Sequence, residues 1–384
     1  MRRVAVIGVG VTRFGRHDRT SGELFAEAAG DAIADAGIRA DEIQALYYGN
    51  VTGGEGERQL HMGPLAASLL GLPTIPTTRF ENACATSHVA FRHAVMEIAA
   101  GVSDVVLVGG AERILHVPTD AATEYFAYCS DATFEQPAGL TFPGVFALIA
   151  RAHMDKYGTT EEQMAHVAVK NHRHGVLNPK AQFQKAITIE TVLKSAYVAD
   201  PLKLFDCCPF TDGGAAIVLA SEEVARRRPR AVWVLGTQAA SDAMFVHDKR
   251  DLSRVAATER AAQGAYRQAG KTPADVDVVE LHDCFTIAEI VATEGLGFFE
   301  PGTGGLAAER GWTSLGGKIP VNPSGGLKAK GHPIGATGAA QIGEIVTQLR
   351  GEAGARQVEG AGTGLVHTLG GNTATVLVSL FGRD

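Results

Sequence analysis

No stretch of this 384-residue chain reaches the roughly 20 apolar residues that a membrane-spanning helix needs. Met1-Arg2-Arg3 also runs straight into a strand-like segment, where a signal peptide would have its apolar core. The expectation is a cytoplasmic protein without a membrane partner. Cysteine is scarce: Cys84, Cys129, Cys207, Cys208 and Cys284 are too few for a disulfide framework, and none forms a Cys-x-x-Cys pair, which excludes a structural zinc site of that kind. An excess of basic charge is missing too. With 35 Lys and Arg against 42 Asp and Glu, the net charge of −7 excludes a general nucleic-acid binder. Against these absences stand 46 glycines and a 45% hydrophobic composition, enough for one large domain or two closely packed ones.

The opening run Val4-Ala5-Val6-Ile7-Gly8-Val9-Gly10 reads as a buried strand. Its glycines do not make a dinucleotide-binding fingerprint, because Arg13 stands where the third glycine belongs. A helix follows, capped at Ser21, with Leu24, Ala28, Ala29, Ala32 and Ile33 at helical spacing and Ala36-Gly37 at its end. The wording then recurs. Gln268-Ala269-Gly270 repeats Asp35-Ala36-Gly37, each leads into a strand (Val278 to Leu281, Ala45 to Tyr48), and Ala231 to Gly236 echoes the opening strand. Two copies of one α/β unit are predicted: residues 1–118 with 196–228 as the first, 229–384 as the second, and 119–195 as a loop excursion over the site mouth.

Four places have the residue types that chemistry needs. Gly325-Gly326-Leu327-Lys328-Ala329-Lys330-Gly331-His332-Pro333-Ile334-Gly335-Ala336-Thr337-Gly338 puts one histidine in a glycine-dense turn ahead of a helix of small residues. The spacing from Gly326 to Gly331 mimics a phosphate loop, but His332-Pro333 replaces the required Lys and Ser/Thr. Cys84 lies between a strand-like segment and a helix, where the helix start is expected to lower its pKa and make it a nucleophile. The alternative is a small buried thiol, the reading that also suits Cys129, Cys207 and Cys208. His282-Asp283-Cys284-Phe285 follows the second copy's strand; three adjacent residues cannot converge on one metal, though a histidine held by Asp283 remains open. Gly364 to Asn372 forms another glycine turn, entering the terminal strand.

Taken together, these segments resemble the thiolase superfamily, in the branch with H-D-C-F that contains sterol-carrier-protein-type and archaeal-type acetoacetyl-CoA thiolases. The resemblance implies a thiolase fold, two duplicated βαβαβαββ-type halves in a five-layered α-β-α-β-α sandwich. It implies acetyl-CoA C-acetyltransferase activity, a reversible Claisen condensation through an acyl-cysteine, with coenzyme A thioesters as substrates and neither metal nor other cofactor. In that case Cys84 is the nucleophile, His332 its base, Cys284 the acid/base for the α-proton and His282 an oxyanion-hole group. The amides of Cys84 and Gly370 form a second oxyanion hole. The second cysteine of better-known thiolases is missing, its place reading Thr368-Leu369-Gly370-Gly371-Asn372, and His367 is a possible site-lining residue. The family further implies a homodimer or homotetramer, and pairing with a small zinc-ribbon/OB-fold protein and a hydroxymethylglutaryl-CoA synthase. Lys170, Arg173 and Lys180 are regional candidates for the coenzyme A phosphates. Rival activities are acyl transfer to a non-CoA acceptor, aldol cleavage of a sterol side chain, and non-catalytic carriage of acyl-CoA or lipid.

Overall fold

A computed structural model describes residues 2–383. The strands are β1 (Val4–Val11), β2 (Ala45–Gly49), β3 (Thr77–Phe80), β4 (Val105–Glu112), β5 (Tyr197–Ala199), β6 (Leu202–Lys203), β7 (Gly213–Ser221), β8 (Val232–Ser241), β9 (Val278–Glu280), β10 (Thr363–Gly370) and β11 (Thr375–Gly382). Nine of them follow the order β3-β2-β4-β7-β1-β8-β11-β10-β9, while β5 and β6 pair separately. The duplication is visible in that order. From the middle outward, β1-β7-β4-β2-β3 on one side matches β8-β11-β10-β9 on the other, and an isolated bridge from Val279 to Val321 stands where β3 has its counterpart. Within the sheet the halves meet along β1 and β8, where Ala5 pairs with Trp233 and Val6 with Val232.

Alternation along the strands builds the layers. In β4, Val105 and Leu107 face the outer helix Ser21–Ala36, whereas Val106 and Val108 face the centre. That central layer consists of the helices Thr86–Ala100 and Thr337–Arg350, sandwiched between apolar residues of both halves such as Ile217, Leu219, Val366 and Phe381. On the far side Ala256–Ala269 and Thr286–Gly295 close a fifth layer over Val279, Val376 and Val378. The Thr337–Arg350 helix is buried at every position except Thr347, so its small residues matter. A Cβ at Gly338 would sit 2.7 Å from the backbone nitrogen of His88, which is how closely the two central helices approach.

The first helix is capped by Thr20, one residue before the expected Ser21; Thr20 and Glu23 exchange hydrogen bonds as a capping box, and the backbone amide of Ser21 donates to Glu57 instead. Between β4 and β7 the chain leaves the main sheet for the helices Thr119–Ala127, Phe142–Tyr157, Glu161–Val176 and Ile189–Leu193. Among the described residues no helix is long and apolar enough to cross a membrane.

Candidate active site

The turn from β3 into the Thr86–Ala100 helix presents Cys84. Thr86 Oγ1 accepts from the Asn82 amide at 2.8 Å and donates to the Ala83 carbonyl at 2.6 Å, folding the chain so sharply that Ala83 takes φ of 47°. A non-glycine residue there costs about 1–2 kcal/mol, which the surrounding contacts must offset. A Cβ at Gly370 would meet the Asn82 carbonyl at 2.7 Å, so that strand end presses directly on the elbow. The amide turned toward the sulfur is that of Gly371, one residue beyond Gly370, together with that of Cys84 itself. Around the half-buried cysteine pack Ile114, Phe126, Phe210 and Ile334. This burial, with smaller contributions from Cys129 and Cys208, pushes the thiol well above its usual range. The expected lowering by the helix start is therefore overturned: desolvation outweighs the amides, and Cys84 rests as a thiol that needs a base.

His332 stands next to that thiol. Its backbone amide donates to Thr211 Oγ1 at 2.9 Å, and its Nδ1 lies 2.6 Å from Thr337 Oγ1. Because the Thr337 hydroxyl spends its proton on the Pro333 carbonyl at 3.0 Å, Nδ1 must carry hydrogen and Nε2 the lone pair. Nε2 has no hydrogen-bond partner among the described residues. Burial, reinforced by Lys330, pushes the imidazole down to about 3, so it is neutral at ordinary pH. The loop is anchored from below by Glu112, whose carboxylate accepts from the Gly335 amide at 3.0 Å and also from Asn50 Nδ2, the Val51 and Thr52 amides and Thr52 Oγ1. No Cβ separates the layers here: one added at Gly335 would lie 2.7 Å from the Gly49 carbonyl, and one at Gly110 would collide with the Gly335 carbonyl.

The third piece follows β9. Asp283 does not hold the neighbouring histidine; its carboxylate accepts from the Leu327 amide at 2.7 Å, the Lys328 amide at 3.3 Å and Asn171 Nδ2 at 2.7 Å. A Cβ at Gly326, which has φ of 59°, would collide with that carboxylate. The H-D-C-F segment is thus fastened to the loop that leads to His332. Cys208 donates its amide to the Cys284 carbonyl at 2.9 Å from the other side. The His282 and His332 rings stand edge to face with centroids 5.0 Å apart. Cys84 Sγ and one ring nitrogen each of His282 and His332 lie within 4.8 Å of one another. Cys284 is buried beside Cys208 and Cys84, and burial first, then those thiols, drives its pKa well up. His282 is driven well down by burial and by His332 and His367. His367 is buried, with Nε2 3.1 Å from Thr258 Oγ1 and Nδ1 without a partner. A cavity of about 400 Å³ opens beside the elbow, lined by Ala83, Tyr125, Tyr128, Cys129, Gly370 and Gly371 among others.

Several supporting residues escape motif reading. Lys170 is buried, its ammonium 2.7 Å from Glu289 and 3.0 Å from the Val321 carbonyl, so it is spent inside the protein and not offered to a phosphate. Lys180 is exposed but donates to the Val11 carbonyl; Arg173 is exposed. His88, four residues past Cys84, has Nδ1 2.8 Å from Thr368 Oγ1 and Nε2 2.7 Å from Ser379 Oγ. Thr368 Oγ1 donates onward to Gln341 Oε1 at 2.9 Å, so His88 must supply its Nδ1 hydrogen to Thr368. One polar chain therefore ties the helix after Cys84 to β10 and to the helix after His332. No sequence pattern announced it, since its partners are as far as 291 residues apart.

A duplicated α/β sandwich with a thiol and an imidazole base converging at the mouths of its two central helices defines an acyl-transfer enzyme. More particularly, the chain belongs to the thiolase family: the model of the thiolase N-terminal domain matches residues 4–223 and that of the thiolase C-terminal domain-like unit residues 238–383. It is 48% identical to an acetyl-CoA acetyltransferase of Methanothermobacter thermautotrophicus over the full length of both chains. It is 38% identical to sterol carrier protein 2 of Bos taurus, matching 98% of this chain and 71% of that one. Among solved structures, the Ltp2-ChsH2(DUF35) aldolase superposes with a TM-score of 0.87 at 28% identity, covering 100% of this chain and 98% of the other.

Proposed function

We propose that the protein is an acetyl-CoA C-acetyltransferase, which joins two acetyl-CoA into acetoacetyl-CoA and coenzyme A and runs the reverse cleavage. The observation that carries this reading is the cluster of Cys84 Sγ and the His282 and His332 nitrogens within 4.8 Å, with the His332 lone pair free on Nε2. The Cys84 proton passes to His332 Nε2 as sulfur attacks the thioester carbon, and the oxygen's growing charge is met by the amides of Cys84 and the Gly370-Gly371 turn. The departing coenzyme A thiolate takes the proton of Cys284. That step leaves a Cys284 thiolate, which a buried thiol could not sustain at rest, and it is the base for the methyl of the second acetyl-CoA. The enolate oxygen lies against His282 and protonated His332 while its carbon attacks the acetyl group on Cys84. Cys84 leaves with the His332 proton, and every group returns to its starting state.

The name of the archaeal relative supports acetyl-CoA as substrate. The likeness to an aldolase complex keeps aldol cleavage in view as the second reading, and the solved complex supports the expectation of a protein partner. Cys84 decides between the two chemistries, because aldol cleavage calls for no acyl-cysteine. Acetoacetyl-CoA and free coenzyme A, mixed with the protein, are expected to give acetyl-CoA, with an acetyl adduct on the intact chain that Cys84→Ala removes. Release of a ketone or aldehyde from a β-hydroxyacyl-CoA, with no thiolysis of acetoacetyl-CoA and no adduct, would support the aldolase reading. Neither turnover nor adduct would leave a non-catalytic carrier. Homodimer or homotetramer assembly belongs to the same proposal and is read by light scattering.

A further inference from the structure

The same three atoms have a second capacity. We propose that Cys84, His282 and His332 also form a binding site for a thiophilic divalent cation such as Zn²⁺, so that metal and acyl group compete for one sulfur. Tetrahedral zinc holds sulfur at about 2.3 Å and imidazole nitrogen at about 2.0–2.1 Å, which puts neighbouring ligand atoms about 3.5 Å apart. The three here lie within 4.8 Å, so closing on an ion needs movements of only about 1 Å. The nitrogens are unclaimed: His282 Nδ1 and Nε2 and His332 Nε2 are buried without a hydrogen-bond partner among the described residues. His282 is fully buried and His332 is 7% exposed, so solvent does not satisfy these atoms.

The outer contacts suit a metal as well. His332 Nδ1 is engaged with Thr337 Oγ1 at 2.6 Å, the kind of hydrogen bond that fixes a metal-bound imidazole's tautomer and aims its other nitrogen. One sulfur and two imidazoles favour Zn²⁺, Cd²⁺ or Co²⁺ over Mg²⁺ and Ca²⁺, which prefer oxygen. As the sulfur–metal bond forms, the Cys84 thiol proton leaves to solvent. A fourth position stays open to an external ligand. Only the competition with acyl groups rests on the thiolase reading; the site itself rests on the positions of the three side chains.

Co²⁺ added to the purified protein without acyl-CoA tests this directly. One cobalt should bind per chain with a sulfur-to-cobalt charge-transfer band in the near ultraviolet, displaced by Zn²⁺ and not by Mg²⁺. The band should vanish in Cys84→Ala and after acetylation of Cys84, and His282→Gln should weaken binding about 100-fold, with melting curves verifying that both variants fold. Wild-type affinity in Cys84→Ala or in His282→Gln, or displacement by Mg²⁺, would overturn the proposal. The two readings separate cleanly. Acetylation of Cys84 without a cobalt band sinks the cation site alone, whereas a Cys84-dependent band without acetylation keeps the cation site and sinks the thiolase reading.

Discussion

The loop after β2 and the loop after β9 occupy equivalent places in the two halves, yet their polar groups are treated in opposite ways. In the first, Asn50, Val51 and Thr52 all donate to Glu112, and every donor is consumed. In the second, both ring nitrogens of His282 are left without a partner. The central helices are matched in the same way: Cys84 stands ahead of Thr86–Ala100 and His332 ahead of Thr337–Arg350, so the thiol and the imidazole are topological mates. One scaffold position can thus stiffen the fold or serve chemistry, according to whether its hydrogen-bonding capacity is used up internally.

Removing the two sulfurs should separate their tasks most strongly. Cys84→Ala should lower turnover by about 10,000-fold or more and abolish the acyl adduct. Cys284→Ala should lower condensation by about 1,000-fold while Cys84 is still acetylated, measured by mass spectrometry beside steady-state rates. If Cys284→Ala also blocks acetylation, the division of labour between the sulfurs fails.

The structural member of the comparison should respond differently. Glu112→Gln places an amide against donors it cannot all satisfy, and should cost about 1–3 kcal/mol in urea unfolding, with a loss of about tenfold in kcat because Gly335 and the His332 loop lose their anchor. An unchanged rate would mean that the loop needs no such anchor. A smaller effect is expected at His88. Asparagine there can still donate toward Thr368, whereas glutamine reaches toward Ser379, so His88→Asn should retain activity within about threefold and His88→Gln should lose more. Equal losses would reduce His88 to packing.

Acid should unfold the protein through its histidines. Burial pushes His88, His174, His332 and His367 down to about 3 and His172 to about 4, and drives His282 well below its usual range. These rings are neutral in the folded state and take up protons once unfolded below about 6.5, so stability falls as pH drops from about 6.5 toward 3. Asp283 acts in the other direction: burial and Glu289 raise it to about 7, so its contribution is lost as pH rises toward that value. Unfolding free energies at a series of pH values check the sign, and a flat profile from 6.5 to 4 would contradict it.

The duplication and the four motif segments were legible because strand alternation, glycine turns and repeated wording are local properties of the chain. Cys84 and His332 could be named from such segments, whereas the roles expected of Cys284 and His282 came only with the resemblance to the H-D-C-F branch. The rest depends on partners remote in sequence. Glu112 and Gly335 are 223 residues apart, and the raised pKa of Cys84 arises from a wall built of Ile114, Phe126, Phe210 and Ile334. A helix start beside a cysteine argues for a thiolate until those side chains are in place. Likewise Lys170, by region a candidate for the coenzyme A phosphates, proves to be an internal strut against Glu289.

The glycine floor beneath His332 carries one last consequence. Because the Gly335 loop rests backbone to backbone on Gly49 and Gly110, the depth of the imidazole is set by the thickness of bare main chain. Adding a single methyl at Gly110 or Gly335 would lift the histidine away from the sulfur without changing any reacting group. Side chains around the site can be exchanged one at a time, but the main chain underneath leaves no such freedom.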